Sequence, residues 1–329
     1  MYFEIQHFPA QENEFHHSDT IHHVEYDYYG KRIATCSIDK AVCIWDRTPN
    51  GWVKTAFWKK HGSAVWRVRF AHPEFGQILA TCSFDNTLQI FDKDASESAD
   101  QISHAGVHMG RGDASNGWTR RANLNAYGNV LDIGFAPSCY GLKLACCTAN
   151  GKLMIWEADD IMSTDIWNNS FCLDVISHRL SSLSWSLNLN RYDSPIIAVS
   201  SDDVGAPAND KLTLFTFNFS GFSGGTVKIA RQKFELEDQV KCVMFGPSLG
   251  YTYHKLAVAA GSKIYIYHLQ ATTDEFRSQK TVTVSGGGIG SSIGTNAPSD
   301  FDVTISSCYV LNESNSQASK EIEIHVNEL

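Results

Sequence analysis

Short apolar runs alternate with polar turns along most of the chain, and one such pattern recurs. Residues 32–46 and 78–92 share a template: an apolar run ending in Ala-Thr-Cys-Ser, a turn that contains Asp, and a second run in which apolar and polar positions alternate. Two short runs joined by a tight turn are typical of antiparallel β-strands. Weaker copies cover 143–157, 196–217 and 255–269. The pattern therefore predicts five copies of one β unit.

An aromatic residue closes each copy, and its spacing gives the size of the repeat. Subtracting successive positions gives steps of 46, 65, 59 and 52 residues between Trp45, Phe91, Trp156, Phe215 and Tyr267. A WD-repeat blade has about 40–45 residues in four antiparallel strands, and longer steps are explained by polar inserts. The predicted fold class is all-β: an open WD-repeat β-propeller with five full blades and the start of a sixth.

We expect residues 1–329 to form a single propeller domain. The predicted blades span approximately 16–60, 61–94, 118–162, 171–219 and 226–270. A flexible insert is expected at 95–116, which is rich in Ser, Gly, His and Asp, and another at 285–300, which contains Gly-Gly-Gly and Ser-Ser runs. A partial sixth blade is expected at 301–329. Alternation along the strands predicts that seven aromatic residues are largely buried: Tyr26, Trp45, Phe70, Phe91, Trp156, Trp185 and Phe245.

A polar residue occupies the turn of the first three copies, six positions before the closing aromatic. These residues are Asp39, Asp85 and Asn150, and short polar side chains at such positions bond to their own backbone. In WD-repeat blades the Asp joins a buried hydrogen-bond chain with a strand Thr, the closing Trp and an upstream His. The matching residues are His17 (or His16), Thr35, Asp39 and Trp45 in the first blade, and His61, Thr81 and Asp85 in the second, where Phe91 replaces the Trp.

We interpret these networks as structural, because a buried Asp or His is tolerated only when it is paired. Other chemistry has little support in the sequence. The nine cysteines include no C-x2-C pair and are expected to be reduced thiols, and the cluster His16, His17, His22 and His23 is better explained by strand-start residues than by a metal site. We expect no catalytic residues, no metal and no cofactor.

Composition and charge narrow the function classes further. Hydrophobic residues make up 43%, which excludes a wholly disordered chain, and 27 Lys+Arg against 36 Asp+Glu leave a formal charge of −9. Since no basic run occurs, direct nucleic-acid binding is not expected. The first residues lack the features of a signal peptide and no apolar stretch reaches 18 residues, so we expect synthesis in the cytosol and no transmembrane segment.

A longer stretch resembles a known family. Residues 65–85 combine Trp66-Arg67, Ala-His-Pro-Glu-Phe-Gly-Gln and Ser-Phe-Asp in one run. This combination is similar to the Seh-type WD-repeat nucleoporins and, less closely, to the outer-cage propeller of the secretory vesicle coat. The similarity spans roughly 19–269, and further matching segments lie at 141–145, 156–162, 194–203 and 246–250. Only Asp-Tyr-Tyr-Gly at 27–30 matches the coat protein at least as well.

The resemblance implies a non-enzymatic scaffold at the nuclear envelope. Members form an open six-bladed propeller that a larger α-solenoid nucleoporin completes with donated strands, within the Y-shaped outer-ring complex of the nuclear pore that supports nucleocytoplasmic transport. The implied partners are this α-solenoid subunit and the other Y-complex subunits. Residues expected at the open edge of the first blade are Phe3, Ile5, Val24 and Ile44.

The sequence leaves other cellular roles and locations open. The family resemblance also implies a second role in amino-acid signalling to the TOR kinase, with a cytoplasmic or lysosome-associated location. A coat-type role in secretory vesicle budding and a peptide-reading WD-repeat adaptor are the alternatives. The position of binding separates a scaffold from a peptide reader: the open edge for the first, the rim of the central channel for the second.

Overall fold

The extended elements of the described chain are all β-strands, joined by turns and short 3-10 helices. The computed structural model describes residues 17–49, 51–93, 115–161, 163–187, 195–218, 228–247, 253–272, 302–312 and 323–326. Within them the strands form five sheets, four of four strands and one of five. Each sheet uses strands that follow one another along the chain, and the pairings recorded for the first, second, fourth and fifth sheets are antiparallel.

The strands of each sheet have the following bounds. The first sheet contains β1 (Ile21–Tyr26), β2 (Arg32–Ser37), β3 (Val42–Thr48) and β4 (Gly51–Trp58). The second contains β5 (Val65–Phe70), β6 (Ile78–Ser83), β7 (Thr87–Lys93) and β8 (Trp118–Asn125). The third contains β9 (Val130–Phe135), β10 (Lys143–Thr148), β11 (Lys152–Ala158) and β12 (Trp167–Asp174). The fourth contains β13 (Ser182–Trp185), β14 (Ile196–Ser200), β15 (Leu212–Asn218) and β16 (Lys228–Phe234). The fifth contains β17 (Val240–Phe245), β18 (His254–Ala260), β19 (Lys263–Thr272), β20 (Asp302–Asn312) and β21 (Glu323–Val326).

This strand order confirms the predicted fold class, an all-β protein of WD-repeat propeller blades. After the first predicted blade, 16–60, the sheets depart from the predicted boundaries by one strand. Residues 118–125, residues 228–234 and the 171–174 part of β12 were assigned to the start of a new blade, but each belongs to the last strand of the sheet before it. The cause is the polar stretch that separates this last strand from the closing aromatic of its own sheet, so that in the sequence it seems to open the next repeat.

The carboxyl-terminal residues also differ from expectation. Residues 302–312 pair with β19 along its whole length, from Lys263 opposite Asn312 to Thr272 opposite Asp302. Residues 323–326 then pair with β20. The described parts of 301–329 therefore extend the fifth sheet and do not start a sixth blade. The predicted insert 285–300, and 95–114 of the other insert, lie outside the described residues.

The contacts within the chain divide it into two compact units where a single domain was expected. The first unit consists of residues 1–135, 142–146 and 154–171, and the second of 136–141, 147–153 and 172–329. In the first unit a core of buried side chains lies between the first two sheets, and the Trp58 ring lies 4.7 Å from Phe91 and 6.1 Å from Trp118, centroid to centroid. Such close aromatic contacts add to the stabilisation from burying the rings.

The predicted burial of aromatic residues is correct for six of seven positions and wrong for Tyr26. Phe91, Trp156, Trp185 and Phe245 are buried and Trp45 and Phe70 are partly buried. Tyr26 is 58% exposed. Strand alternation places it opposite its neighbour Glu25, whose carboxylate contacts the second sheet, so the Tyr26 ring lies on the other face of β1.

The first strands of neighbouring sheets are joined by different polar groups in the two units. In the first unit Glu25 in β1 pairs with Arg69 in β5 at 2.7 Å, and the Arg69 Nε donates to the Ile133 carbonyl in β9 at 3.2 Å. In the second unit the Phe245 N–H in β17 donates to the Ser184 hydroxyl in β13 at 3.0 Å. Both arrangements fix the register between adjacent sheets.

No helix among the described residues is long and apolar enough to span a bilayer. The eight cysteines whose side chains are described are free thiols, of which Cys172 and Cys242 are exposed.

Gly151 tests how tightly the turn between β10 and β11 is packed. Its φ is +78°, and a Cβ added there would lie 1.9 Å from the Ile176 carbonyl oxygen. Gly151→Ala should therefore lower the free energy of unfolding by about 3 kcal/mol or more, from positive-φ strain and a backbone clash. Gly30→Ala is the control, since its φ is +64° but nothing lies within 4 Å, and it should cost only about 1–2 kcal/mol. Equal losses in urea denaturation would contradict the clash.

Candidate functional site: the His–Asp networks and the aromatic face of the first sheet

The structure brings the four residues of the first predicted network together. His17 precedes β1 and Asp39 lies in the turn between β2 and β3. The His17 Nε2 is 2.9 Å from the Thr35 hydroxyl and its Nδ1 is 3.3 Å from the Asp39 carboxylate. The Trp45 indole N–H donates to the same Thr35 hydroxyl at 3.2 Å. The chain of contacts thus ties the closing strand to the residue that precedes the sheet.

The turn itself saturates the Asp39 carboxylate. It accepts hydrogen bonds from the backbone N–H groups of Ser18 and Ala41, both at 2.9 Å. Its side chain is 3% exposed. Because backbone donors and His17 fill its acceptor sites, this carboxylate is an organising group for the turn and is not available to a substrate.

A second network repeats the arrangement one sheet later. The His61 Nδ1 is 3.0 Å from the Asp85 carboxylate and its Nε2 is 2.8 Å from the Thr81 hydroxyl. Phe91 stands in place of the Trp, so no indole donor reaches Thr81. The Thr87 hydroxyl donates to Asp85 at 2.6 Å and supplies a further bond within the turn.

The fourth sheet contains a related pair that the sequence analysis missed. The His178 Nδ1 lies 3.3 Å from the Asp203 carboxylate, and their side chains are 31% and 36% exposed. Asp203 follows Ser201 by two positions, as Asp39 follows Ser37, and this Ser-x-Asp spacing was the available signal. Val199 occupies the place of the strand Thr, which removes the hydroxyl that draws the histidine inward in the other two sheets.

Burial and hydrogen bonds set the charge states in these networks. Burial lowers the pKa of His17, against the opposing effect of Asp39. Burial alone would raise the pKa of Asp39, but the N–H groups of Ser18 and Ala41 and the contact with His17 lower it overall. For Asp85 the bonds from His61, Thr87 and Gly62 likewise outweigh burial and hold its pKa well below the ordinary range.

The geometry supports a structural role for these networks. The two carboxylates are paired and ionised, and the two buried histidines have both ring nitrogens engaged. The Thr35 and Thr81 hydroxyls that the histidines contact are themselves buried, at 7% and 0% exposure, so a substrate does not reach them. Among the described residues, no group of three or more His, Cys, Asp or Glu side chains is arranged to hold a metal ion.

The first sheet has a second apolar surface, on the side away from the core that it shares with the second sheet. We call it the aromatic face. Strand register aligns Val24, Thr35, Cys43 and Phe57 in one row across the four strands. A second row contains Tyr26, Ile33, Trp45 and Lys54, and Trp52 follows on β4 with its ring 6.0 Å from Tyr26.

Burial changes along this face. Val24 is 51% exposed at the β1 end of its row, whereas Cys43 is fully buried and Phe57 is 9% exposed at the β3–β4 end. Two lysines lie over the rings on the same side: Lys54 Nζ is 5.9 Å from the Trp45 ring centroid, and Lys59 Nζ is 5.9 Å from Phe57. The face is thus apolar, aromatic and positively charged at one end.

The residues predicted to bind a partner fall in three different places. Val24 lies on the aromatic face and is exposed. Ile44 does not contribute to this face: it is fully buried in the core between the first two sheets, because its position in β3 has the opposite alternation from Cys43 and Trp45. Phe3 and Ile5 lie outside the described residues.

Comparison with known proteins gives a consistent result. Residues 10–46 and 52–92 match the family model described as WD domain, G-beta repeat. The chain is similar to nucleoporin SEH1-A of Xenopus laevis, with 38% identity over 273 residues that cover 81% of this chain and 71% of the relative. It is also similar to nucleoporin SEH1 of Homo sapiens, with 38% identity over 277 residues, 82% of this chain and 70% of the relative.

Removal of Asp39 tests the first network. Asp39→Ala leaves the N–H groups of Ser18 and Ala41 and the ring of His17 without their acceptor, and should lower the free energy of unfolding by about 1–3 kcal/mol. Asp203→Ala is the matched control at the half-exposed pair and should cost less. Urea denaturation of both variants measures the difference, and equal effects would mean that burial of the network adds nothing.

His23 in β1 predicts how stability depends on pH. Burial, followed by the positive charges of Arg69 and Arg67, lowers its pKa from 6.5 to about 3. The folded protein keeps it neutral while the unfolded chain takes up a proton, so its contribution is fully present above pH 6.5 and is lost as the pH falls toward 3. Between pH 6.5 and 5 the loss is up to about 2 kcal/mol.

The variant His23→Leu isolates this contribution. The Nδ1 of His23 has no hydrogen-bond partner among the described residues, so leucine loses only the hydrogen bond of the ring with the Val68 backbone. Free energies of unfolding at pH 7.5, 6.5 and 5.0 should fall less steeply for the variant than for the parent protein. Parallel pH profiles would show that His23 does not carry the dependence.

Proposed function

This chain belongs to the nucleoporin SEH1 family of WD-repeat proteins, and from that premise we propose that it is a scaffold subunit of the Y-shaped outer-ring complex of the nuclear pore. Its partner is an α-solenoid nucleoporin, which donates β-strands that pack against the first sheet. The protein contributes no catalysis to this assembly, and its location is the nuclear envelope.

The aromatic face is the observation that carries the proposal. A sheet with an apolar second surface is stable when another layer covers that surface. Val24 and Tyr26 are both more than half exposed there, on the end strand β1. Incoming strands would bury these side chains by packing face to face on the first sheet, and would hydrogen-bond to one another as a sheet of their own.

The polar networks give independent support for a scaffold role. The carboxylates of Asp39 and Asp85 are occupied by turn N–H groups and histidines within their own sheets. The Asp39 network holds rigid the β2–β3 turn of the sheet that presents the aromatic face. Rigid presentation lowers the entropy cost of binding, since little ordering is left for the moment of association.

Substitutions on β1 test this function. The double variant Val24→Asp and Tyr26→Asp places two charges on the exposed part of the aromatic face, where a partner strand would have to desolvate them. Affinity purification of the tagged full chain from its native cells should then recover at least tenfold less of the α-solenoid nucleoporin than the parent protein does, as quantified by mass spectrometry.

The control is Val204→Asp, which adds a charge at an apolar residue that is 79% exposed in the second unit. It should retain the partner at the level of the parent protein. Equal retention by the β1 variant would overturn the proposed docking surface. Recovery of the long subunit of the secretory vesicle coat from the parent chain, with no pore subunits, would overturn the pore assignment.

A further inference from the structure

The turn between β1 and β2 presents two adjacent tyrosine rings to solvent. The Asp27 Oδ1 accepts hydrogen bonds from the backbone N–H groups of Lys31 and Arg32, at 2.7 and 2.9 Å, and these bonds fix the turn. Tyr28 and Tyr29 lie between these anchors and are 68% and 62% exposed. Strands that pack on the aromatic face would not account for these two rings, which belong to the turn and not to β1.

A neighbouring turn, between β5 and β6, holds one of these rings in place. The His72 ring lies 4.9 Å from Tyr28, centroid to centroid, at an interplanar angle of 73°. His72 is itself fixed, because its Nδ1 accepts the backbone N–H of Glu74 at 3.3 Å. On Tyr28 the Tyr29 ring stands at 83°, with the centroids 5.3 Å apart. Two rings in such an edge-to-face contact form a corner, in which a small group can touch both faces.

The two tyrosines border a concave site, which we call the tyrosine recess. Asp27, Tyr28 and Tyr29 line it from the β1–β2 turn, and Phe70 and Pro73 line it from β5 and the turn that follows. Both turns belong to the first unit. The recess therefore combines aromatic and aliphatic walls with one carboxylate.

The charges at the tyrosine recess favour a cation. The Asp27 Oδ1 is occupied by the turn, whereas its Oδ2 has no hydrogen-bond partner among the described residues. Lys31 meets this carboxylate through its backbone N–H, and its ammonium makes no ion pair among the described residues. The Arg32 guanidinium bonds to Gln77, another lining residue, but its charge is balanced by Asp46. Asp27 thus offers one open, negatively charged oxygen.

The number of open acceptors discriminates between cations. Aromatic faces attract ammonium groups, and methylated ammonium groups above all, as in aromatic cages. A guanidinium presents paired donors that fit two carboxylate oxygens, and Asp27 has only one to give. An unmethylated ammonium has three donors and is strongly hydrated, so entry into the recess would leave two of them unpaired. A dimethylated ammonium has a single N–H, which matches the single open oxygen.

We infer that the tyrosine recess binds a dimethylated lysine side chain of a protein partner. The faces of Tyr28 and Tyr29 contact the N-methyl groups, and the Asp27 Oδ2 accepts the one N–H. A trimethylated ammonium, such as the choline group of a lipid, has no N–H for this oxygen. The inference goes beyond the proposed scaffold function and does not depend on it.

Saturation-transfer NMR on the full chain tests the inference. The probe is N-acetyl-Nε,Nε-dimethyllysine amide, and saturation of the protein should be transferred to its N-methyl protons. Capped lysine, capped arginine and choline, added as competitors, should each displace the probe at least fivefold less well than unlabelled probe does. Equal or better competition by arginine would assign the recess to a guanidinium, and by choline to a lipid head group. Either result, or no transfer at all, would overturn the inference.

Removal of the rings locates the binding. Tyr28→Asn with Tyr29→Asn introduces residues that turns accept, and should reduce saturation transfer to the probe at least fivefold. The matched control is Tyr127→Asn, which removes a ring that is 70% exposed elsewhere in the first unit and should leave the transfer unchanged. Tyr28→Phe with Tyr29→Phe keeps both ring faces and should also retain it. Undiminished transfer in the double Asn variant would overturn the inference.

The carboxylate is tested separately, which decides the matter if the double Asn variant does not fold. Asp27→Asn keeps an oxygen acceptor for the turn N–H groups but removes the negative charge. It should weaken binding of the dimethyllysine probe at least threefold more than binding of capped trimethyllysine, because only the dimethylated form donates to the Asp27 Oδ2. Equal losses for the two probes would show that no such hydrogen bond forms and would overturn the inference.

Discussion

A β-sheet with two apolar surfaces must be covered on both, and the organisation of this protein follows from that requirement. The second sheet meets it with cores on either side, one shared with the first sheet through Trp58 and Phe91 and the other with the third through residues such as Ile90 and Trp156. Among the described residues, the first sheet shares such a core with the second sheet on one side. On its other side Val24 and Tyr26 are more than half exposed, and in the proposed function a partner covers them.

Polar networks then make the covered sheets specific. A buried aspartate or histidine costs free energy unless it is bonded, and once bonded it penalises any arrangement that breaks the bonds. His17 and Asp39 therefore select one geometry for the turn, the strand Thr and the closing Trp together. Where the strand residue is Val199, the corresponding histidine and aspartate stay about one-third exposed and constrain the local geometry less. The presence or absence of the hydroxyl group of the strand threonine therefore decides how firmly each network holds its sheet.

The sequence allowed the repeated unit and the two buried His–Asp networks to be recognised, because Thr35 and Asp39 recur as Thr81 and Asp85 at the same spacing from each other and from the closing aromatic. It misplaced the last strand of the second, third and fourth sheets, since long polar stretches hide which neighbour a strand pairs with. Period-two alternation identified apolar positions on β1 and β3 but not which face the chain itself would cover. Ile44 and Tyr26 were therefore assigned to the wrong sides, and His178 was missed because its sheet lacks the threonine that defined the search.

The contrast between the junctions of the two units has a consequence for how the protein responds to its medium. Arg69 and Glu25 are both about a quarter exposed, so dissolved ions reach them and weaken their attraction. The hydroxyl of Ser184 accepts from a main-chain amide, a neutral contact that ions barely screen. A rise in salt concentration should therefore weaken the contact between β1 and β5 in the first unit more than the contact between β13 and β17 in the second.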